Sequence, residues 1–140
     1  MNKPIIIVGA SVIIHKDGKV LLQQRWDDRC WAYHGGKVDS GEVVEEAAKR
    51  ELMEETGLIA EEMKFFGVFS GPEMFHIYPD GQEASIIDIL YTCDKFSGEP
   101  TRQIDEVLDL EWFDIYNLPS DLTPHTKPAL LRFVEEFSNR

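Results

Sequence analysis

Apolar residues in the first part of the chain form two runs, at residues 5–15 and 19–25, which flank the turn sequence HKDGK. Runs rich in β-branched residues on either side of an Asp-Gly turn are typical of a β-hairpin. The aromatic segment 26–33 has no clear period, and we predict that it is irregular. Further apolar runs predict strands at residues 63–69, 74–78, 84–95 and 107–113.

Two other segments follow a helical period. In residues 42–56, small and apolar side chains fall on one face, and Gly57 follows as a helix-ending residue. The face consists of Val44, Ala47, Ala48 and Leu52. Residues 124–137 form the second predicted helix. Strands, a helix, more strands and a final helix predict an α+β fold with a mixed sheet, as a single domain over residues 1–140.

Composition and charge narrow the class of protein. The chain has 140 residues, of which 43% are hydrophobic and 29% charged, as expected for a compact globular domain. A formal charge of −12 argues against nucleic acids and anionic membranes as partners, and no apolar run has the length of a membrane span. Cys30 and Cys93 lack the close spacing of metal ligands, so we expect reduced thiols in a cytoplasmic protein.

The first predicted helix carries acidic residues where apolar ones are expected. Continuing its apolar stripe places Glu51 and Glu55 in core-facing positions, with Glu54 at the edge. Neighbouring carboxylates that face the protein body repel one another and resist desolvation. A hard divalent cation such as Mg²⁺ or Mn²⁺ would resolve this conflict. The alternative is a solvated acidic face, but charged residues already occupy the opposite arc: Glu45, Glu46 and Lys49.

The segment from Gly36 to Leu58 resembles the Nudix box, G-x5-E-x7-R-E-U-x-E-E-x-G-U, where U is a bulky aliphatic residue. Gly36, Glu42 and the run RELMEETGL at residues 50–58 match every specified position. The resemblance to MutT-like Nudix hydrolases implies an α/β/α sandwich with a mixed sheet, a loop-helix-loop box and a C-terminal helix. It also implies metal-dependent hydrolysis of a nucleoside diphosphate linked to another moiety.

The same resemblance implies roles inside the box. Glu51, Glu54 and Glu55 would bind Mg²⁺ or Mn²⁺, with help from a backbone carbonyl near Gly35 or Gly36. The residues expected to act in catalysis are Glu54, Glu51 and Arg50. Arg50 would also pair with Glu42 and fix the loop, unless that pair is an exposed salt bridge of little consequence. Glu42 and Gly57 would then be structural residues of the box.

Four residues outside the specified positions of the box are candidate site residues, and each also has a reading without a functional role. Glu106, just before a strand with Trp and Phe, would be the general base or a solvated acid. Arg25 and Lys37, with the Gly35–Gly36 backbone, would bind substrate phosphates or be surface charges. Asp88 is a weaker candidate, because strand alternation alone could turn it towards solvent.

Two departures from the usual flanking pattern concern His34 and Asp39, where the family usually has Pro and Glu. We predict that His34 is an ordinary loop histidine.

The sequence leaves several substrates open. A nucleoside triphosphate ranks first and an ADP-sugar such as ADP-ribose second, since Pro72 lies near the place where some ADP-ribose hydrolases carry a proline. A non-catalytic nucleotide sensor is a rival, which the complete set of box glutamates disfavours. An RNA 5′-end pyrophosphohydrolase would need a basic approach surface. The expected partner is a small-molecule nucleotide, and a homodimer is compatible with the family.

Overall fold

The computed structural model describes residues 3–103 and 105–139. Within these ranges, eight strands form one sheet and two α-helices pack on it. The strands are β1 (Ile5–Lys16), β2 (Lys19–Arg25), β3 (Trp31–Ala32), β4 (His34–Lys37), β5 (Ile59–Phe69), β6 (Phe75–Ile77), β7 (Glu83–Ser97) and β8 (Val107–Asp114). The helices are α1 (Val44–Thr56) and α2 (Thr126–Ser138).

Strand β1 is the centre of the mixed sheet. One edge of β1 pairs in parallel with β7 over most of its length. The other edge is shared: β4 pairs with residues 9–12 of β1, and β2 pairs with residues 14–16. This division ends the β1–β2 ladder at Leu21 and leaves room for β4, which carries the Gly35–Gly36 pair next to the centre of the sheet.

The two helices cover opposite faces of the sheet. Alternate residues of β1 point to opposite faces, so Val12 and Ile14 pack in the cluster beneath α1, whereas Ile13 packs with α2. Ala47, Ala48 and Leu52 of α1 are fully buried, as the apolar stripe predicts. The fold is therefore α+β with an α/β/α arrangement, as expected from the sequence.

Several predicted boundaries are wrong. Helix α1 begins at Val44 rather than 42, α2 at Thr126 rather than 124, and β5 at Ile59 rather than 63. The segment 26–33 is not wholly irregular, because Trp31 and Ala32 pair with β2. His34 lies in β4 rather than in a loop, since that strand is held by pairing with β1 and not by local propensity.

None of the helices in the described ranges is both long enough and apolar enough to span a membrane.

Candidate active site

Helix α1 carries the box glutamates and is fixed in place by its apolar face and its C-terminal end. Gly57 adopts a left-handed conformation with φ of 77°, and its N–H donates to the Met53 carbonyl. A left-handed residue at this position ends a helix without steric cost only when it is glycine. The helix therefore stops directly after Thr56, and its last two turns carry Glu55 facing the sheet, Glu51 partly buried and Glu54 exposed.

Arg50 is the centre of an ion-pair network. Its Nε and Nη2 atoms donate to both oxygens of Glu42, at 2.7 and 3.0 Å. Its Nη1 atom donates to Glu51 at 3.0 Å and to Glu54 at 3.3 Å, and Nη2 also reaches the Lys37 carbonyl. These contacts lower the pKa of Glu42 and raise that of Arg50. The Glu42–Arg50 pair expected from the sequence is present, and the same guanidinium also pairs with Glu51, Glu54 and Asp39, the last at 3.5 Å.

The two glycines of β4 permit a close approach to α1 and β1. A Cβ atom on Gly36 would lie 2.5 Å from the Glu51 carboxyl carbon, and one on Gly35 would lie 2.6 Å from the Ala10 carbonyl oxygen. Any larger residue would push Glu51 or the neighbouring strand away. The glycine pair is therefore a steric requirement of the site.

Glu55 faces the interior and is only 4% exposed. One carboxylate oxygen accepts a hydrogen bond from the Gly35 N–H at 2.8 Å, and the other accepts from Arg25 Nη1 at 3.1 Å. Burial raises the pKa of Glu55 to about 7, although the hydrogen bond from Gly35 and the charge of Arg25 oppose the shift. Arg25, predicted to face substrate phosphates, thus also pairs with a box glutamate.

Glu51 and Glu106 interact through their charges. Burial raises the pKa of Glu51, the Arg50 contacts oppose this, and the negative charges of Glu54 and Glu106 raise it further. Glu106 itself is exposed, and its backbone carbonyl accepts from the Trp26 N–H. The structure therefore brings Glu106 close enough to influence Glu51, with no direct hydrogen bond between their side chains among the described contacts.

A groove of about 410 Å³ opens beside Gly35 and Gly36. This size lies in the range of small-molecule sites. Its lining includes Arg25, Lys37 and Glu55. The same groove is also lined by Ser11, Tyr33, Phe75, His76, Tyr78, Asp88 and His125, among others. Arg50, Glu51 and Glu54 lie next to the groove rather than in its wall.

Asp88 lies inside the groove, and the expectation that it faces solvent is wrong. It is 3% exposed, because β7 lies between β1 and β5 and both faces of the sheet are covered. Its two oxygens accept hydrogen bonds from Ser11 Oγ at 2.8 Å and Tyr33 Oη at 2.7 Å. Burial raises the pKa of Asp88, and the two hydroxyl donors oppose that shift.

A divalent cation fits the donors on α1. Carboxylate oxygens are its preferred ligands, and the contact of Glu51 with Gly36 makes a cradle that a Cβ atom would fill. Glu51 and Glu54 lie together on Arg50, whereas Glu55 is turned away towards Gly35. In residues 3–103 and 105–139, no three His, Cys, Asp or Glu side chains form a group that could hold a metal. Mg²⁺ needs only one or two protein carboxylates, because it retains several waters.

Sequence reasoning missed two buried polar residues, Gln23 and His34. Both are fully buried, and Gln23 Nε2 lies 2.9 Å from His34 Nδ1. Burial lowers the pKa of His34 to about 4, so the ring is neutral near pH 7. A polar residue within the apolar run of β2 was the one signal for Gln23, whereas His34 could be placed only by knowing that β4 pairs with β1.

The comparisons with known proteins agree with this geometry. A profile of the NUDIX domain matches residues 5–133. An ADP-ribose pyrophosphatase of Methanocaldococcus jannaschii is 41% identical over 123 residues, which cover 86% of this chain and 69% of that protein. An 8-oxo-dGTP diphosphatase of Haemophilus influenzae is 41% identical over 145 residues, covering 99% and 98%.

Solved structures show the same fold. The crystal structure of a MutT NUDIX hydrolase from Burkholderia pseudomallei superposes with a TM-score of 0.79 at 35% identity, covering 90% of this chain and 96% of that one. The family profile, the relatives and the solved structure all agree with the complete box in the sequence. The chain belongs to the Nudix family and is a Nudix pyrophosphohydrolase.

Proposed function

We propose that this enzyme hydrolyses a nucleoside triphosphate, with Mg²⁺ or Mn²⁺ as its cofactor. The observation that carries the proposal is the joint placement of Glu51 and Glu54 on Arg50, with Glu51 against Gly36 at the edge of a groove. That arrangement puts carboxylate oxygens beside a backbone that a diphosphate can approach closely.

Nudix hydrolases generally act with divalent metal ions. A bound Mg²⁺ or Mn²⁺ neutralises phosphate charge and makes water a better nucleophile. Glu51 and Glu54 would hold it, whereas Glu55, the third box carboxylate, is engaged by the Gly35 N–H and Arg25. Arg50 keeps Glu51 and Glu54 oriented, and Arg25 and Lys37 supply positive charge to the phosphates.

Two carboxylates are candidates for the general base. Burial already raises the pKa of Glu51, which favours proton uptake from water near neutral pH. Glu106 is the second candidate, because its charge acts on Glu51.

The polar and aromatic part of the groove lining suits a nucleobase. Ser11 and Tyr33 donate their hydroxyl protons to Asp88, so their oxygen lone pairs remain as acceptors for the N–H groups of a base. His76 and Tyr78 lie edge to face at 4.6 Å, and His125 meets Tyr33 at 5.9 Å. These rings offer a wall on which a base could pack.

The similarity to curated relatives supports an order in which substrates should be tested. The 8-oxo-dGTP diphosphatase matches over nearly the whole of both chains, which supports an oxidised purine nucleoside triphosphate as the first substrate to test. ADP-ribose is second, because the ADP-ribose pyrophosphatase has the same identity over a shorter span. Pro72 adds no support for it, because this residue lines a shallow depression beside the groove with Ile6 and Phe75.

Other properties remain proposals. The free cysteines Cys30 and Cys93 are compatible with the cytoplasm, and a small-molecule nucleotide is the proposed partner. The single-domain assignment over residues 1–140 and a homodimer both stay predictions.

The experiment is a turnover assay of the purified protein on 8-oxo-dGTP, dGTP, dATP and ADP-ribose, with Mg²⁺, with Mn²⁺ and with a chelator. We expect metal-dependent turnover, with 8-oxo-dGTP turned over fastest, read as release of phosphate or pyrophosphate from the triphosphates and as formation of AMP and ribose 5-phosphate from ADP-ribose. Faster turnover of ADP-ribose would replace the first substrate by the second. No turnover together with tight binding of one nucleotide would instead indicate a sensor.

A further inference from the structure

A chain of buried hydrogen bonds runs from the backbone of β2 to Glu55. It begins where β2 separates from β1, since Leu21 is the last β2 residue in register with β1. The Leu21 carbonyl lies 2.8 Å from His34 Nε2, and His34 Nδ1 lies 2.9 Å from Gln23 Nε2. Gln23 Oε1 accepts from Arg25 Nη1, and the same nitrogen donates to Glu55.

The direction of every hydrogen bond in this chain is fixed by chemistry. A backbone carbonyl only accepts, so His34 must carry its proton on Nε2 and accept at Nδ1. A guanidinium only donates, so the Gln23 atom that faces Arg25 must be the oxygen. Both ends therefore require the same orientation of the Gln23 amide, and the neutral state of the buried His34 ring agrees with it.

The chain also closes on itself. Glu55 accepts a second hydrogen bond from the N–H of Gly35, the residue after His34. Both oxygens of Glu55 are thus held, and Arg25 Nη1 is fully engaged by Gln23 and Glu55. The remaining donors of Arg25 have no partner among the described residues, and Arg25 lines the groove.

We propose that Gln23 and His34 are positioning residues, which orient Arg25 so that its remaining guanidinium donors face substrate phosphate in the groove. The inference rests on the proposed function for the identity of the ligand. The direction of the hydrogen bonds in the chain from Leu21 to Glu55 does not depend on that function. His34 takes the place of the proline usual in the family and adds an acceptor that proline lacks. Without that acceptor, the Gln23 amide would be held in this orientation from the Arg25 side alone, and its Nε2 donor would lose its buried partner.

The first test needs no substrate. A long-range ¹H–¹⁵N correlation spectrum of protein with ¹⁵N-labelled histidine, assigned with His34→Phe, reports which ring nitrogen carries the proton at pH 7. We expect the proton on Nε2. A proton on Nδ1 would reverse the polarity of the chain and overturn the proposal, whatever the enzyme hydrolyses.

The second test separates positioning from stability. Gln23→Met and His34→Phe each leave the other side chain without its buried hydrogen-bond partner. The double variant removes both groups and leaves the Leu21 carbonyl without its histidine donor, so its unfolding midpoint should recover in part towards the wild type. KM for the preferred nucleotide should stay raised about tenfold in the double variant, equal to ~1.4 kcal/mol of lost binding. Gln24→Met is the matched control, because Gln24 bonds the Arg29 carbonyl outside this chain.

A double-mutant cycle with Arg25 tests whether Gln23 affects KM through Arg25. If Gln23 acts through Arg25, Gln23→Met should raise KM in the wild type and have no further effect in an Arg25→Lys background. Two results would overturn the proposal: a double variant that recovers wild-type KM along with its stability, or effects of Gln23→Met and Arg25→Lys that multiply independently. Absence of turnover on every nucleotide would count against the proposed function. The histidine spectrum would still test the direction of the hydrogen bonds between Leu21 and Glu55.

Discussion

At the scale of single residues, Glu55 combines two conflicting environments. It is almost fully buried, yet it accepts hydrogen bonds from Gly35 and Arg25 that favour its charged form. Burial dominates, and the pKa rises from 4.5 to about 7. Ionised Glu55 therefore destabilises the fold when no metal is bound. The same burial keeps this carboxylate of the box in a fixed position next to Gly35 and Arg25.

This conflict predicts a pH dependence of stability. Because the pKa of Glu55 is raised by folding, its contribution to stability is complete below pH 4.5 and is lost as the pH rises through 7. A shift from 4.5 to about 7 corresponds to roughly 3 kcal/mol. In chelator, Glu55→Gln should gain stability relative to the wild type between pH 5 and 8, measured by urea unfolding. A difference between the two proteins that does not change over this range would contradict the assignment.

Residue-scale prediction from the sequence succeeded where the pattern is local. The box spacing placed Glu42 opposite Arg50, and the helical stripe placed Glu55 in the core. It failed for Asp88, because strand alternation cannot reveal that helices cover both faces of the sheet. It failed for His34 for a related reason, since the pairing of His34 with Val12 is a long-range contact.

At the scale of elements, the packing of α1 against the core determines where the box residues on that helix lie. Leu52 is fully buried between the helix and the sheet, one residue after Glu51, whereas Met53 is half exposed on the outer side. The apolar face of the helix thus determines where the glutamates lie. The strand that faces them, β4, is short and glycine-rich, and only its pairing with β1 makes it a strand.

Leu52→Ala should therefore lower the free energy of unfolding by about 2–5 kcal/mol, because it leaves a cavity under the helix. Met53→Ala, at the exposed neighbouring position, should change it by no more than about 0.5 kcal/mol. Thermal or denaturant unfolding of both variants compares them directly. Equal losses would mean that α1 does not rest on the sheet through Leu52.

At the scale of the whole molecule, an acidic chain encloses a site built for a polyanion. The formal charge is −12, and the positive groups near the groove, Arg25 and Lys37, are few. Divalent cations are the physical means by which such a surface accepts a nucleotide. The fold and the family could be predicted from the sequence because the box is contiguous. The groove could not, since its walls come from segments far apart in the sequence: β1 to β4, α1, β6, β7 and the segment before α2.

The most direct measurement of the proposed chemistry compares two glutamates of α1. Glu54→Gln should lower metal-dependent kcat/KM on the preferred nucleotide by at least about a hundredfold and leave the unfolding midpoint unchanged, because Glu54 is exposed. Glu46→Gln is the control, since Glu46 is exposed on the same helix and, among the described residues, pairs only with Lys49, at 3.8 Å. Wild-type turnover by Glu54→Gln, or an equal loss in both variants, would contradict a site built on the box glutamates.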